Sequence, residues 1–212
     1  MERVGKALQG GIERIRRYSL WVSGEKPNVH DVIADDCFLR DIIYSRNYLE
    51  SGKNVGVVLT NEERIEHIQR IGIVSWTGGT AANAMAAALI PCFIEMFDEE
   101  KEPHQIDVRI ELVKTLALIA SSNKAAQDEL RTNGFLAYMV ELLRLNDPRL
   151  VDLQKWLVYA LNSVISNNTE NQRLVLSYAH MKDTLAKYQT ESWFCWRRNE
   201  ATYLVNVLFF GK

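Results

Sequence analysis

The sequence has few of the residues that hold small secreted proteins together. Its three cysteines are odd in number, widely spaced and embedded in apolar runs: Cys37, Cys92 and Cys195. A disulfide framework uses even numbers of closely spaced cysteines in an oxidising compartment. We therefore expect buried, reduced thiols and a reducing, intracellular location.

Chemical motifs are also scarce. The four histidines are scattered, and no His-Glu-x-x-His or Cys-x-x-Cys pair is present that would gather a zinc ion. The sequence contains no Gly-x-Ser-x-Gly nucleophile elbow. We therefore predict a protein that is not an enzyme, with no catalytic or metal-binding residues, no cofactor and no small-molecule substrate.

Long apolar segments and a strong net charge are absent as well. No run approaches the roughly 20 apolar residues that span a bilayer. The longest run, 84–94, contains Pro91 and is typical of a core helix. The N-terminus lacks the pattern of a secretory signal, and a formal net charge of −2 gives no general attraction to nucleic acid. These features predict a cytoplasmic protein, with the cytoskeleton or an organelle as further candidate locations.

The chain does contain a repeat of about 45 residues. Gln127 and Gln172 are 45 residues apart, as are Asn123 and Asn168. The pair Tyr159 and Asn162 recurs after 44 residues as Tyr203 and Asn206. A period of this length is typical of a helical solenoid, in which each unit buries its apolar faces only by stacking on its neighbours.

Within the clearest unit the apolar residues follow a helical spacing. Asp147 before Pro148 predicts a helix N-cap followed by proline at the first helical position. Asn133-Gly134 predicts a sharp corner between two helices. One apolar stripe comprises Leu136, Met139, Val140 and Leu143, and another comprises Leu150, Leu153, Leu157, Ala160, Leu161 and Val164.

This arrangement resembles the armadillo repeat. Residues 133–143 resemble its second helix, 88–97 resemble the same helix with its apolar-proline opening, and 157–164 resemble its third helix with a characteristic asparagine. Residues 203–208 are a degenerate copy of the third helix. By pattern and length the chain resembles the small armadillo-like helical domain-containing proteins.

The resemblance implies an all-α, armadillo-like right-handed helical solenoid of about three and a half repeats. We assign the repeat domain to residues 61–212 and a non-repeat helical cap to residues 1–60. It also implies a scaffold that binds other proteins, as a subunit of a larger assembly, through a concave surface lined by third helices. Nucleic acid is not expected as a partner.

The third-helix asparagine of such repeats hydrogen-bonds the main chain of an extended peptide, so the resemblance implies partner-binding roles for Asn162 and Asn206. We also predict that Val158 and Lys155, which precede Asn162 on the same helix, contact the partner. One unit earlier the equivalent residue is Ala117, so the asparagine ladder is incomplete. Members that capture nuclear-localisation peptides place tryptophan four residues before the asparagine. This chain has Val158 and Thr202 there, so such capture is not expected, and Trp156 is predicted to be core.

The basic N-terminus allows two interpretations. The first 26 residues carry six basic and three acidic side chains beside an apolar side. They can form a cap over the first unit, or an amphipathic anchor for a membrane or organelle, which is the alternative function. The residues that would serve either role are Arg14, Arg16, Arg17 and Trp21.

The C-terminal segment 201–210 is apolar on nearly every side, which is typical of a helix buried all round. We predict that Phe209 and Phe210 dock onto a partner or a second copy. The alternative is local packing against Trp193, Phe194 and Trp196.

Three local features lie in residues 60–107, before the clearest repeat unit. Thr60 and Glu63 form a capping-box pair at the start of a helix. Gly78-Gly79 is predicted to be a connecting turn rather than a phosphate loop, because the Gly-Lys-Ser/Thr ending is missing. The acidic run 95–107 is predicted to be a solvated turn.

Overall fold

The computed structural model describes residues 45–49, 59–100, 105–190 and 198–210. The N-terminal residues Arg14, Arg16, Arg17 and Trp21 lie outside the described residues, as do Trp193, Phe194 and Trp196. Regular structure in the described part of the chain is helical throughout. The prediction of an all-α solenoid is confirmed.

The described helices after residue 60 form one single helix followed by three triplets. The single helix is α1 (Asn61–Thr77). The first triplet is α2 (Gly79–Ala87), α3 (Ile90–Glu99) and α4 (Ile106–Ala120). The second triplet is α5 (Lys124–Thr132), α6 (Phe135–Arg144) and α7 (Val151–Ile165). The third triplet is α8 (Thr169–Ser177), α9 (Met181–Gln189) and α10 (Glu200–Val205), and α10 continues as a π turn over Asn206–Phe210. Because α1 packs on α4 as α4 packs on α7, α1 is the third helix of a preceding unit.

The repeated asparagines are helix caps. Asn123 accepts a hydrogen bond from the backbone N–H of Ala126 at 3.1 Å, and Asn168 accepts one from Asn171 at 3.1 Å. Both therefore satisfy a free donor at the start of a first helix. At the start of α1, the capping box between Thr60 and Glu63 is also confirmed.

Left-handed backbone positions make the corners between helices. Ser122, with φ of 61°, and Asn167, with φ of 56°, turn the chain from a third helix into the next first helix. Gly134, with φ of 76°, and His180, with φ of 61°, turn it from a first into a second helix. The predicted corner at Asn133-Gly134 is confirmed, and glycine suits it because the left-handed region costs other residues about 1 kcal/mol or more.

The third helices stack on one another and form the core. Thr115 on α4 donates its hydroxyl to the carbonyl of Ile68 on α1 at 3.0 Å. A Cβ added to Gly72 would lie 2.8 Å from Thr115 Oγ1, so this glycine permits the close approach of the two helices. Helix α4 has neighbours on both sides and is buried along most of its length.

Two local predictions need correction. Glu100 does not belong to a solvated turn, because it is 5% exposed and pairs with Arg64 on α1. Asp147 is an N-cap followed by proline, as predicted, but the turn that it caps is a 3₁₀ turn, Pro148–Leu150, and α7 begins after it at Val151. Other acids of the run, Glu95, Asp98 and Glu99, are exposed near the end of α3 as expected.

Residues 45–49 form a short helical segment that packs on α1. Ser45 Oγ lies 3.2 Å from Nδ1 of the buried His67, and the Tyr48 and His67 rings are 4.1 Å apart. The Tyr48 hydroxyl donates to Glu63 at 3.1 Å. The capping role and domain boundary assigned to residues 1–60 stay predictions, since most of that segment lies outside the described residues.

Candidate partner-binding surface

The glutamines of the repeat are structural. Gln127 is 2% exposed, and its side-chain amide donates to the carbonyls of Ala120 at 3.1 Å, Ser163 at 2.9 Å and Ser166 at 3.2 Å. Its Oε1 accepts from Asn168 at 3.1 Å. Gln127 therefore joins two successive units, satisfying carbonyls at the ends of α4 and α7.

Its counterpart one unit later makes a simpler contact. Gln172 is half-buried and donates to the carbonyl of Ile165 at 3.0 Å, as Gln127 does to the equivalent Ala120. The strongest repeat signal in the sequence thus marks the framework of the array rather than a binding site.

The surface that stays accessible on the stacked third helices is here named the third-helix face. We define it by Lys114 on α4, Trp156, Tyr159 and Asn162 on α7, and Tyr203 and Asn206 on α10 and its continuation. Four of these six side chains are half-buried and two, Tyr203 and Asn206, are exposed. Lys114 lies against the Trp156 ring.

The centre of the third-helix face is a cation and two aromatic rings. Lys114 Nζ lies 4.6 Å from the centroid of the Trp156 ring and 3.1 Å from the Glu111 carboxylate. The Trp156 and Tyr159 rings meet edge to face at 5.8 Å. The prediction that Trp156 belongs to the core is therefore wrong in part, because the indole is half-buried at the surface of α7.

Asn162 bridges α7 to α10. Its Nδ2 donates to the Glu200 carboxylate at 2.6 Å and to the Glu200 carbonyl at 3.3 Å. Its Oδ1 is buried and has no hydrogen-bond partner. Glu200 is 5% exposed and also accepts from Arg198 at 2.7 Å, and this hydrogen bond raises the pKa of Arg198. Asn162, predicted to bind a partner, thus makes a structural contact through Nδ2, and only its buried acceptor Oδ1 has no hydrogen bond.

The other predicted partner residues differ in accessibility. Val158 is fully buried in the core, so its assignment to a partner-binding surface is wrong. Lys155 is half-buried, with Nζ 4.0 Å from Asp152. Asn206 is exposed, Phe209 is half-buried and Phe210 is 56% exposed.

Sequence reasoning missed Lys114 and Arg198. Lys114 stands 45 residues before Tyr159, so the repeat period already placed it on this face. Arg198 has its guanidinium 4.0 Å from the Tyr203 ring centroid, a contact that no periodicity indicates. Cations over aromatic rings therefore occur in two units of the face.

Away from this face, the most unusual buried charge is Arg109. Its guanidinium stacks on Phe97 at 4.2 Å and contacts the Tyr138 hydroxyl at 3.5 Å, while its buried Nε has no partner. Burial lowers the pKa of Arg109. The residue fills a contact between α3, α4 and α6, and no cluster of metal-ligating side chains occurs in the described part of the chain.

A shallow groove lies where the α1–α2 corner approaches the α4–α5 corner. Its lining includes Trp76, Gly79, Asn83, Ser122 and Lys124. Gly79 has φ of 77° and begins α2 directly after the turn residue Gly78, so the glycine pair is the predicted connecting turn.

Stacked helical triplets of this kind define an armadillo-like helical solenoid. The chain belongs to the family described as armadillo-like helical domain-containing protein 2, whose model matches residues 41–212. Neither a curated protein nor a solved structure matches the chain. The resemblance seen in the sequence is confirmed.

Proposed function

We propose that the chain is a non-catalytic interaction module that holds partner proteins in a larger assembly through its third-helix face. The observation that carries this proposal is the cluster of Lys114, Trp156 and Tyr159, half-buried side by side on two successive units. Aromatic side chains that are part exposed and held in place by packing are typical of residues that dominate binding energy at interfaces.

The geometry of the cluster favours a peptide or helix of a partner over a small molecule. The rings lie on the side of a stack of helices rather than in an enclosed cavity. Lys114 is neutralised by Glu111, and Arg198 by Glu200. The face therefore offers aromatic surface and hydrogen-bonding groups with little net charge, which suits a protein surface of mixed polarity.

The C-terminal end is the second surface in this proposal. Phe210 is 56% exposed, and Lys182 Nζ lies 5.0 Å from its ring centroid. Neighbouring Phe209 is half-buried against the core. An exposed phenylalanine under a lysine at the end of a stack is a site where a partner would remove apolar surface from water.

A cytoplasmic location is part of the same proposal, with the cytoskeleton or an organelle as alternatives. The odd number and wide spacing of the three cysteines support a reducing compartment. No single described helix is long and apolar enough to cross a membrane. Helices α2 and α3 together have the length and composition of a membrane span, but the chain bends by 47° between them. Ile90, Phe93 and Phe97 of α3 are buried in the core, as the sequence predicted for this run.

The proposal is tested by affinity capture from native tissue with matched variants. Substitution of Trp156→Ala with Tyr159→Ala should remove specific partners while the circular dichroism spectrum is retained. Tyr178→Ala with Leu176→Ala is the control, since it removes an exposed leucine from α8 and a half-buried tyrosine from the residue that follows this helix. Equal capture by the two double variants would contradict a role for the third-helix face.

A further inference from the structure

The last α-helix that the structure describes, α10, repeats the residues with which α7 contacts it. Tyr159 and Asn162 correspond to Tyr203 and Asn206, 44 residues later. The same offset relates the buried residues Leu157 and Ala160 of α7 to the buried Ala201 and Leu204 of α10. Both helices therefore turn the same side towards the preceding unit.

Exposure differs on the side marked by Val158 and Asn162, and also at the end of the helix, where the buried Val164 and Ile165 correspond to the half-buried Leu208 and Phe209. Val158 is fully buried, whereas its counterpart Thr202 is exposed. Asn162 is half-buried, whereas its counterpart Asn206 is exposed. Likewise Tyr159 is half-buried and Tyr203 is 41% exposed. The side of α7 on which Asn162 contacts α10 is thus more buried than the corresponding side of α10. We name Thr202, Tyr203 and Asn206, together with the exposed Phe210 four residues after Asn206, the open stacking stripe.

The covered stripe of α7 shows what its open counterpart is built to contact. Asn162 binds the first residue of α10, Glu200, through both its carboxylate and its carbonyl. Next to Glu200 comes Ala201, a small residue that is fully buried, and Leu204 is also fully buried one turn later. A helix that stacks here thus brings an acidic first residue and a small apolar second residue.

We propose that the open stacking stripe receives an α-helix of a partner protein with the pattern Glu-Ala-x-x-Leu-x-x-x-Leu, docked as α10 docks on α7. Asn206 then donates to the acidic first residue of that helix. Arg198 is already paired with Glu200, but the exposed Lys182 lies 5.0 Å from the Phe210 ring centroid and gives the stripe a basic side chain that is complementary to an acidic helix N-terminus. This inference rests on the proposed function, because it names the partner of the C-terminal surface.

The experiment uses the full chain and a stapled peptide of about 14 residues, long enough to hold a helix once stapled. The peptide carries the proposed pattern with polar residues elsewhere, and binding is measured by fluorescence anisotropy. We expect saturable binding that Asn206→Ala weakens about tenfold. Replacing the peptide's glutamate by glutamine should weaken binding to the wild-type protein about tenfold as well. The same peptide change should have a smaller effect on binding to the Asn206→Ala variant, which already lacks the donor. Asn133→Ala, an exposed asparagine at the end of α5, should leave binding unchanged.

Three outcomes would overturn the inference: no saturable binding, equal weakening by Asn206→Ala and Asn133→Ala, or an uncharged peptide that binds as well as the acidic one. Self-association of the wild type that Asn206→Ala abolishes would also overturn it, since a second copy would then be the occupant. If the peptide does not bind but changing Trp156 and Tyr159 removes native partners, this inference fails and the proposed function is retained. If the peptide binds but changing Trp156 and Tyr159 leaves the capture of native partners unchanged, the third-helix face is not the binding surface and the proposed function fails instead.

Discussion

Asn162 and Glu200 are joined by two hydrogen bonds, one to the carboxylate at 2.6 Å and one to the carbonyl at 3.3 Å. The pair fixes the start of α10 against α7, the last stacking contact between third helices in the described chain. Glu200 is 5% exposed, so a lost donor is not easily replaced by water.

Asn162→Ala should therefore lower the free energy of unfolding by about 1–3 kcal/mol, the cost of leaving a buried charged acceptor short of one donor. Chemical denaturation measures this loss. Asn133→Ala, exposed at the end of α5, is the control and should change stability by less than about 0.5 kcal/mol. Equal small effects would show that the Glu200 contact contributes nothing and that Asn162 serves the partner alone.

Gln127 and Gln172 form a matched pair for a second prediction. Gln127→Ala removes donors from three carbonyls and an acceptor from Asn168, all at a residue that is 2% exposed. We expect a loss of about 2–4 kcal/mol, because several buried polar groups lose their partner together. Gln172→Ala removes one donor at a half-buried site and should cost about 1 kcal/mol. A larger loss for Gln172→Ala in urea denaturation would refute this account of the corner.

Gly72→Ala tests the close approach of α1 and α4. The new methyl would meet Thr115 Oγ1 at 2.8 Å and the Thr115 Cα at 3.3 Å. Rotating Thr115 away would sacrifice its hydrogen bond to Ile68, so the helices must separate. We expect the thermal midpoint to fall, with a cost of about 1–3 kcal/mol.

Combining this change with Thr115→Ala checks the cause. The double variant should recover part of the loss relative to the sum of the single changes, because the clash with Oγ1 is then absent. Strict additivity of the two effects would mean that Gly72 acts through helix propensity rather than through packing.

The His67 contact with residues 45–49 predicts a pH dependence. Burial lowers the pKa of His67 below its ordinary value of 6.5, with a further contribution from Arg70, while Glu63 and Glu66 oppose the shift. The unfolded chain therefore binds a proton at higher pH than the folded chain does. Stability should be complete above about pH 6.5 and decrease as the pH falls below that value.

His67→Gln should flatten this part of the stability profile between pH 7 and pH 5, measured by thermal denaturation. His180→Gln is the control, since the His180 side chain is 76% exposed. A profile of His67→Gln with the same slope as the wild type would assign the dependence to other groups.

The sequence was sufficient to predict the framework because that framework repeats. Asn123 and Asn168 recur as caps since every first helix begins at the same corner, and the spacing was visible without coordinates. The binding surface was harder to predict. Val158 was predicted to be a partner residue, yet it is fully buried in the core. The contact of Lys114 with Trp156 joins two units and depends on the stacking geometry, whereas Arg198 contacts Tyr203 of its own unit from the turn before α10, where no periodicity applies.

The same reasoning explains Trp156. An indole beside a salt bridge and a tyrosine ring can belong either to the core or to the surface. Sequence spacing gives the side of the helix on which Trp156 lies but not how deeply the neighbouring helices bury it. Its half-buried position on the third-helix face follows from Lys114 in the preceding unit, 4.6 Å from the ring.

The most direct test of the proposed function is quantitative affinity capture with the full chain, compared between the wild type and the Trp156→Ala, Tyr159→Ala double variant. The account predicts that native partners bound by the wild type are lost from this variant and retained by the Tyr178→Ala, Leu176→Ala control, with all three proteins folded. Retention of every partner by the variant of the third-helix face, at wild-type abundance, would contradict the account.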